Sequence, residues 1–194
     1  MRAIDASLLQ GSELYREVIL GKLAHARESV LIATSNVKDV QVERGGKYGS
    51  VVALFSELAA RGVELRLLHG ELPSRPFRAS FEKRRRLTSG GLTLKICPRV
   101  HFKAVVVDGA WVYFGSANLT GAGLGAKSEG RRNFELGLCT EDFETVDRVK
   151  ALFEAVWSGA ECGPCRLRSI CPDPIGEEQA RSLVRLGRAR RLRH

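Results

Sequence analysis

Residues 99–109, Arg99-Val100-His101-Phe102-Lys103-Ala104-Val105-Val106-Val107-Asp108-Gly109, decide the fold together with Trp111-Val112-Tyr113-Phe114-Gly115-Ser116-Ala117-Asn118 just beyond them. Two apolar runs flank Asp108-Gly109, a favoured tight-turn pair, and this pattern predicts an antiparallel hairpin. Strand residues alternate faces with a period of two, so His101 and Lys103 point the same way. An imidazole beside a fixed ammonium is poor core material and apt chemistry. Asp108 stands seven residues from His101, on the opposite face of a continuous strand and in the turn itself. It therefore reads as a positioning residue.

Outward from the hairpin, the pattern alternates. Ser12 to Glu28 carries Leu14, Val18, Leu23 and Ala26 and reads as a helix, followed by the buried strand VLIAT (30–34). ERGGKYGS (43–50) reads as a glycine-bearing loop. VVALFSELAARG (51–62) is a helix closed by glycine, and VELRLLHG (63–70) a strand. FRASFEKRRRLTSGG (77–91) is a basic helix with its stop, and LTLKI (92–96) another strand. NFELGLC (133–139) alternates strictly, with Asn133, Glu135 and Gly137 on one side. EDFETVDRVKALFEAVWSG (141–159) is amphipathic, acidic in its first turn and closed by glycine. Helices alternating with strands, then a cluster of strands over 92–139, give an α/β class: a three-layer sandwich on a mixed sheet. The expected division is a catalytic domain over 1–158 and a small cysteine-containing appendage with an arginine-rich tail over 159–194.

A chain of 194 residues with 44% hydrophobic and 27% charged residues builds one domain with a sizeable core. Its 31 Lys+Arg against 22 Asp+Glu leave +9, which favours polyanionic partners: nucleic acid or anionic lipid. No run approaches the roughly 20 apolar residues of a membrane span. The N-terminus, MRAIDASLLQGSELYREVIL, lacks a basic region followed by an apolar one, so a cytoplasmic protein is expected.

Three polar pairs spaced i, i+2 fall on consecutive strand-like segments: His101 with Lys103, Ser116 with Asn118, and Asn133 with Glu135. Lys103 and Asn118 can hold a phosphate through charge and hydrogen bonds. A neutral His101 is a nucleophile near pH 7, and Glu135 can orient that ring and stabilise its cation. Each pair alone has an ordinary reading as solvated strand or turn residues. The H-x-K-x4-D spacing of His101, Lys103 and Asp108, followed by G-S-x-N at Gly115–Asn118, resembles the phospholipase D superfamily. The resemblance implies that family's three-layer fold and phosphodiester cleavage through a covalent phosphohistidine without a catalytic metal. On it, His101 attacks, Lys103 and Asn118 bind phosphate, Ser116 supports the site, and the downstream acid orients the histidine. Glu135 is preferred for that last role over Glu129, which sits among flexible residues. The chain has a single copy of the motif, so the resemblance is to small homodimeric endonucleases, whose second histidine comes from the partner.

The substrate expected is nucleic acid, DNA before RNA. KRRR (Lys83, Arg84, Arg85, Arg86) is one basic block, and the tail from Arg181 to His194 holds six arginines and no carboxylate, with Arg181, Arg185 and Arg188 as phosphate contacts. A lipid enzyme would show apolar insertion loops, whereas GAGLGAKSEGRR (121–132) beside the motif is small and polar. The alternatives are a lipid phosphodiesterase or phosphatidyltransferase, and a non-catalytic nucleic-acid-binding protein of this fold.

The cysteines number five, and three crowd into ECGPCRLRSICPDP (161–174) as C-x2-C-x5-C. In a chain read as intracellular, this favours a metal site over a disulfide framework. Cys162, Cys165 and Cys171 supply three thiolates. Cys97 is the preferred fourth ligand because Ile96-Cys97-Pro98 echoes Ile170-Cys171-Pro172; Cys139 is the other option. The spacing is similar to the iron–sulfur staple of certain recombination nucleases, and zinc fits nearly as well. The expected role is structural, with no cofactor for catalysis.

Overall fold

The computed structural model describes residues 2–174. The tail residues Arg181, Arg185 and Arg188 lie outside them. The elements run β1 (Ser7–Gln10), α1 (Ser12–Leu14) continuing through a π-helical stretch (Tyr15–Lys22) and a 3₁₀ turn (Leu23–His25), β2 (Ser29–Thr34), β3 (Gln41–Arg44), β4 (Lys47–Ser50), α2 (Val51–Ala60), β5 (Glu64–His69), α3 (Arg75–Glu82), β6 (Thr93–Ile96), β7 (Lys103–Val107), β8 (Trp111–Gly115), β9 (Leu136–Thr140) and α4 (Phe143–Trp157). Seven strands form one sheet in the order β1-β9-β8-β7-β2-β5-β6. β2, β5 and β6 are parallel; β7, β8, β9 and β1 pair antiparallel.

β2 is an unbroken apolar run because both of its faces are covered. Val30 and Ile32 join the core beneath the N-terminal helix and α2; Leu31 and Ala33 join the core beneath α4. α4 starts on Asp142, whose carboxylate caps the Thr145 N–H at 2.9 Å. It buries Val146 and Phe153 against Val106 and Val112 of the hairpin. These are the three layers that the alternation predicts.

Residues 77–91, read as one basic helix, are divided: α3 ends at Glu82, and a separate helical stretch follows at Leu87–Gly91. Two more segments depart from the sequence reading here. Residues 43–50, read as a loop, close the β3–β4 hairpin through Gly45 and Gly46, both at positive φ (56° and 74°). Their neighbours are charged or small, so no apolar alternation marks them. β1 also escaped notice, because its apolar content is only Leu8-Leu9; it forms by pairing with β9, Ser7 opposite Cys139. A tertiary partner, not local pattern, makes this strand.

The Asp108-Gly109 turn is as expected, with φ 53° and 62°, and Ala110 N–H donates to Val107 O at 3.1 Å. The Asp108 carboxylate accepts from the backbone N–H groups of Arg27, Glu28 and Ser29 at 2.8–3.1 Å, fixing the entry to β2. Its work is done at the end of the sheet away from His101. Asp108→Ala strands three donors and places a Cβ-bearing residue without a local hydrogen bond in the left-handed region. A loss of about 2 kcal/mol or more is expected in urea unfolding, and Asp108→Asn, which keeps an acceptor oxygen and tolerates that backbone, should be milder.

Candidate active site

β7 runs antiparallel to β2, so its first residues lie beside the C-terminal ends of β2 and β5. β8 ends, and β9 begins, at the same edge, with Lys103 opposite Gly115 and Gly115 opposite Gly137. This edge therefore collects Thr34-Ser35-Asn36, His69, His101, Lys103, Ser116, Asn118 and Glu135. Carboxyl ends of parallel strands are where open α/β sheets place their ligands.

Glycine at 115 has a steric cause. A Cβ there would stand 2.8 Å from the Tyr113 hydroxyl and 2.6 Å from Gly137 Cα, and a Cβ at Gly137 would collide with the same Tyr113 ring. The cross-strand glycine pair lets that buried ring lie flat under the site. Burial pushes the Tyr113 hydroxyl up to about 12.

His101 is exposed and lies just before β7, whereas Lys103, its first residue, is only 8% exposed. The Lys103 ammonium turns back to His101, donating to its carbonyl at 2.6 Å and meeting its Nε2 at 3.4 Å. An ammonium only donates, so Nε2 faces it with its lone pair. Among the described residues no ion pair involves Lys103. A buried cation with no carboxylate partner is a place for an external anion.

The Asn118 amide is oriented by its surroundings. Its Oδ1 accepts from the Thr34 hydroxyl and from the Ser35 and Asn36 N–H groups, each at 3.1 Å. Backbone N–H groups cannot accept, so the atom facing them must be oxygen. The NH₂ end is therefore the one left for a ligand. The Thr34-Ser35-Asn36 cradle was not singled out from sequence. The available signal was a polar triplet directly after the buried strand β2.

Glu135 precedes β9 rather than lying on it, so strand alternation does not set its direction. Its carboxylate accepts from the Ser116 hydroxyl and, at 3.1 Å, from Asn133 Nδ2; Ser116 Oγ also accepts from Leu136 N–H at 3.2 Å. Among the described residues these contacts, and none to the His101 ring, hold the carboxylate. Glu129 lies in an exposed 3₁₀ turn (Glu129–Arg131). Of the remaining described histidines, His25 precedes β2 at the opposite end of the sheet, and His69, at the same edge, is 4% exposed with Nδ1 at 2.9 Å from Glu71 O. Burial pulls the His69 ring down from its ordinary value.

The basic block falls after α3, on the path back to the start of β6. Arg85 and Arg86 share a hollow with Ala59 near the C-terminus of α2, towards the end of the sheet away from His101. Lys83, Arg85 and Arg86 are exposed, while Arg84 is tied to Ser80 O at 2.7 Å. The cations on the chain around the site are others: Arg99, two residues before His101, and Lys127, Arg131 and Arg132 in the segment joining Asn118 to Glu135. Arg99, Lys127 and Arg131 are exposed. The signal for them was their place between motif elements.

Cys97, Cys162, Cys165 and Cys171 line one cavity; Cys139 is buried in the core away from it. Burial pushes the Cys97 thiol up, with repulsion from the other three adding to it. The Leu167 N–H and the Arg99 guanidinium hold Cys165 down. Among the described residues no three His, Cys, Asp or Glu side chains are gathered closely enough to hold a single metal ion.

A buried lysine, a pinned amide and an exposed imidazole thus stand at one edge of a mixed three-layer sheet. The chain belongs to the phospholipase D superfamily: the family described as "Cardiolipin synthase, PLD-like domain" matches residues 19–157. No curated protein sequence matches it. Among solved structures it is similar to NucT from Helicobacter pylori (TM-score 0.57, 17% identity, 79% of this chain and 95% of that one). It is similar to the phospholipase D family member Nuc from Salmonella typhimurium (0.55, 17%, 79% and 95%) and to the archaeal chromatin protein TrmBL2 (0.51, 16%, 81% and 54%). At these identities the likeness is one of fold. Among the described residues no helix is long and apolar enough to cross a membrane.

Proposed function

We propose that the chain is an endonuclease that cleaves nucleic-acid phosphodiester bonds through a phosphohistidine on His101, at a site shared by two copies of the chain. The observation that carries this reading is the buried Lys103 ammonium, without a carboxylate partner among the described residues, beside Nε2 of the exposed His101. A phosphate held by Lys103 and the Asn118 NH₂ places phosphorus against Nε2. Attack there forms the P–N bond and expels the alkoxide, and water then releases the phosphate from the imidazole. Ser116, Asn133 and Glu135 form a hydrogen-bonded wall beside it. Among the described residues the only carboxylate at this edge with a place in the motif is Glu135, already engaged by Ser116 and Asn133. A two-metal mechanism, which needs several converging carboxylates, has little to build on.

In-line displacement puts nucleophile and general acid on opposite sides of phosphorus, so the leaving oxygen needs a second donor. His69 is sealed in the core and His25 is at the other end of the sheet. The second His101 of a two-fold dimer is the economical source. An apolar strip beside the site supports pairing of copies: Phe134 is fully exposed, and Leu136 on β9 and Leu8 on the edge strand β1 are largely so. The net charge of +9 and the exposed Arg99, Lys127 and Arg131 favour a nucleic-acid backbone, DNA before RNA, as substrate. A cytoplasmic location goes with that reading.

The same Phe134 favours a second reading, because an exposed aromatic at the site is also what an enzyme working on lipid would insert into a membrane surface. One panel separates the two: labelled single- and double-stranded DNA, RNA, a bis-aryl phosphodiester and phosphatidylcholine vesicles, each in excess EDTA. Cleavage of the DNAs and of the bis-aryl diester is expected to persist with the chelator. Turnover of phosphatidylcholine alone would establish the lipid reading, and activity lost to EDTA but restored by magnesium would overturn the phosphohistidine mechanism.

A further inference from the structure

The loop that carries His101 leaves β6 at Cys97, and its first stretch lines a cavity of about 280 Å³. The opposite wall is the last turn of α4 and the segment after it, with Cys162, Cys165 and Cys171. Two stretches far apart in sequence are thus brought to one space by the fold. Val100 and Phe102, the neighbours of His101 on either side, form part of the same wall, with Val156 of α4 across from them. Apolar side chains and the four thiols share its lining.

We infer that Cys97, Cys162, Cys165 and Cys171 hold a polynuclear iron–sulfur cluster that staples the His101 loop to the C-terminal segment. Four converging thiols with no disulfide among them are soft ligands suited to iron–sulfur or zinc. Size decides between the two. Thiolates on one zinc must lie within about 4 Å of one another, since each Zn–S bond is about 2.3 Å. Among the described residues no three such side chains are gathered at one point, and the four thiols are spread over the lining of the 280 Å³ cavity. A cluster spreads its thiolates over several irons and fills such a space.

Charge points the same way. Four thiolates on a cluster core leave a net anion, and Lys95, Arg99 and Arg168 line the cavity against two carboxylates, Glu161 and Asp173. The Arg99 guanidinium helps hold the Cys165 thiol down, and Lys95, half-buried, is anchored on Trp157 O at 2.7 Å. Hydrogen bonds and cations around the sulfurs are the usual outer support of such a centre.

The test is made on full-length untagged protein purified without oxygen. Iron and acid-labile sulfide are expected in equal amounts, about two or four of each per chain, with a visible charge-transfer absorption. Cys97→Ser and Cys171→Ser, at opposite walls, should each lower iron at least severalfold, while Cys139→Ala, outside the cavity, should keep it. Circular dichroism melting identifies any variant that has not folded, and the second variant then carries the comparison. Amide hydrogen exchange at residues 99–102 should quicken on cluster removal. One zinc per chain without sulfide, no metal at all, or iron lost equally from Cys139→Ala would each overturn the inference. None of these readouts depends on nuclease activity, so the result stands apart from the proposed function.

Discussion

His101→Ala is expected to lower cleavage of DNA and of a bis-aryl phosphodiester by at least about a thousandfold, with thermal stability and DNA affinity nearly unchanged. The ring is exposed and contributes little to the core, so its removal leaves packing intact. Lys103 keeps its bond to the residue-101 carbonyl, which is backbone and survives the substitution. Phosphate therefore still binds, but nothing at the site replaces the nucleophile: Ser116 is engaged with Glu135, and His69 is buried. The variant also tests the shared site. If both copies of His101 meet one phosphate, mixing equal amounts of wild type and His101→Ala under subunit exchange should halve the activity of the wild-type chains, since half of them enter dead heterodimers. Undiminished activity, with exchange confirmed separately, would show each chain acting alone.

The hairpin that bears the motif was legible because two local signals agree. Apolar alternation over 103–107 and 111–115 sets the strands, and Asp108-Gly109 supplies the left-handed turn between them. The central strand β2 was legible for a simpler reason, a run of four buried apolar residues. The same kind of reasoning failed at Glu135. It assumed the alternation of 133–139 was a strand throughout, whereas pairing with β8 begins only at Leu136–Gly137 and leaves Asn133 to Glu135 as a hydrogen-bonded lead-in. Nor could spacing place KRRR. Exposure and charge are visible in sequence, but which end of the sheet a return path visits depends on β6 being parallel to β5. The four-cysteine cavity lies between these cases. The spacing grouped three of the cysteines, and only an echo of sequence pointed to Cys97; the fold brings all four to one cavity.

Asn118 separates architecture from chemistry more sharply than any other residue at this edge. Its Oδ1 gathers three donors from the turn after β2, while its NH₂ is the end free to meet an anion. Asn118→Ala removes the acceptor and strands the Ser35 and Asn36 N–H groups, while the Thr34 hydroxyl keeps Asn36 O at 3.0 Å, a loss of about 1–3 kcal/mol in stability. Asn118→Asp keeps an oxygen for all three donors, and its negative charge suits them better than the neutral amide does. The fold should hold, with a melting temperature at or near that of wild type. The other carboxylate oxygen now stands where the NH₂ stood. It cannot donate, and it repels the phosphate that Lys103 attracts. Removing one preorganised donor from an oxyanion site lowers turnover by about 10²–10³, and the added like charge raises the loss for Asn118→Asp to about a thousandfold or more in kcat/KM. The measurement is that constant on the bis-aryl phosphodiester, beside a thermal melt of the same preparation. An aspartate variant that folds and cleaves as well as wild type would mean that the Asn118 amide never touches the phosphate, and the anion site would have to be rebuilt around Lys103 alone.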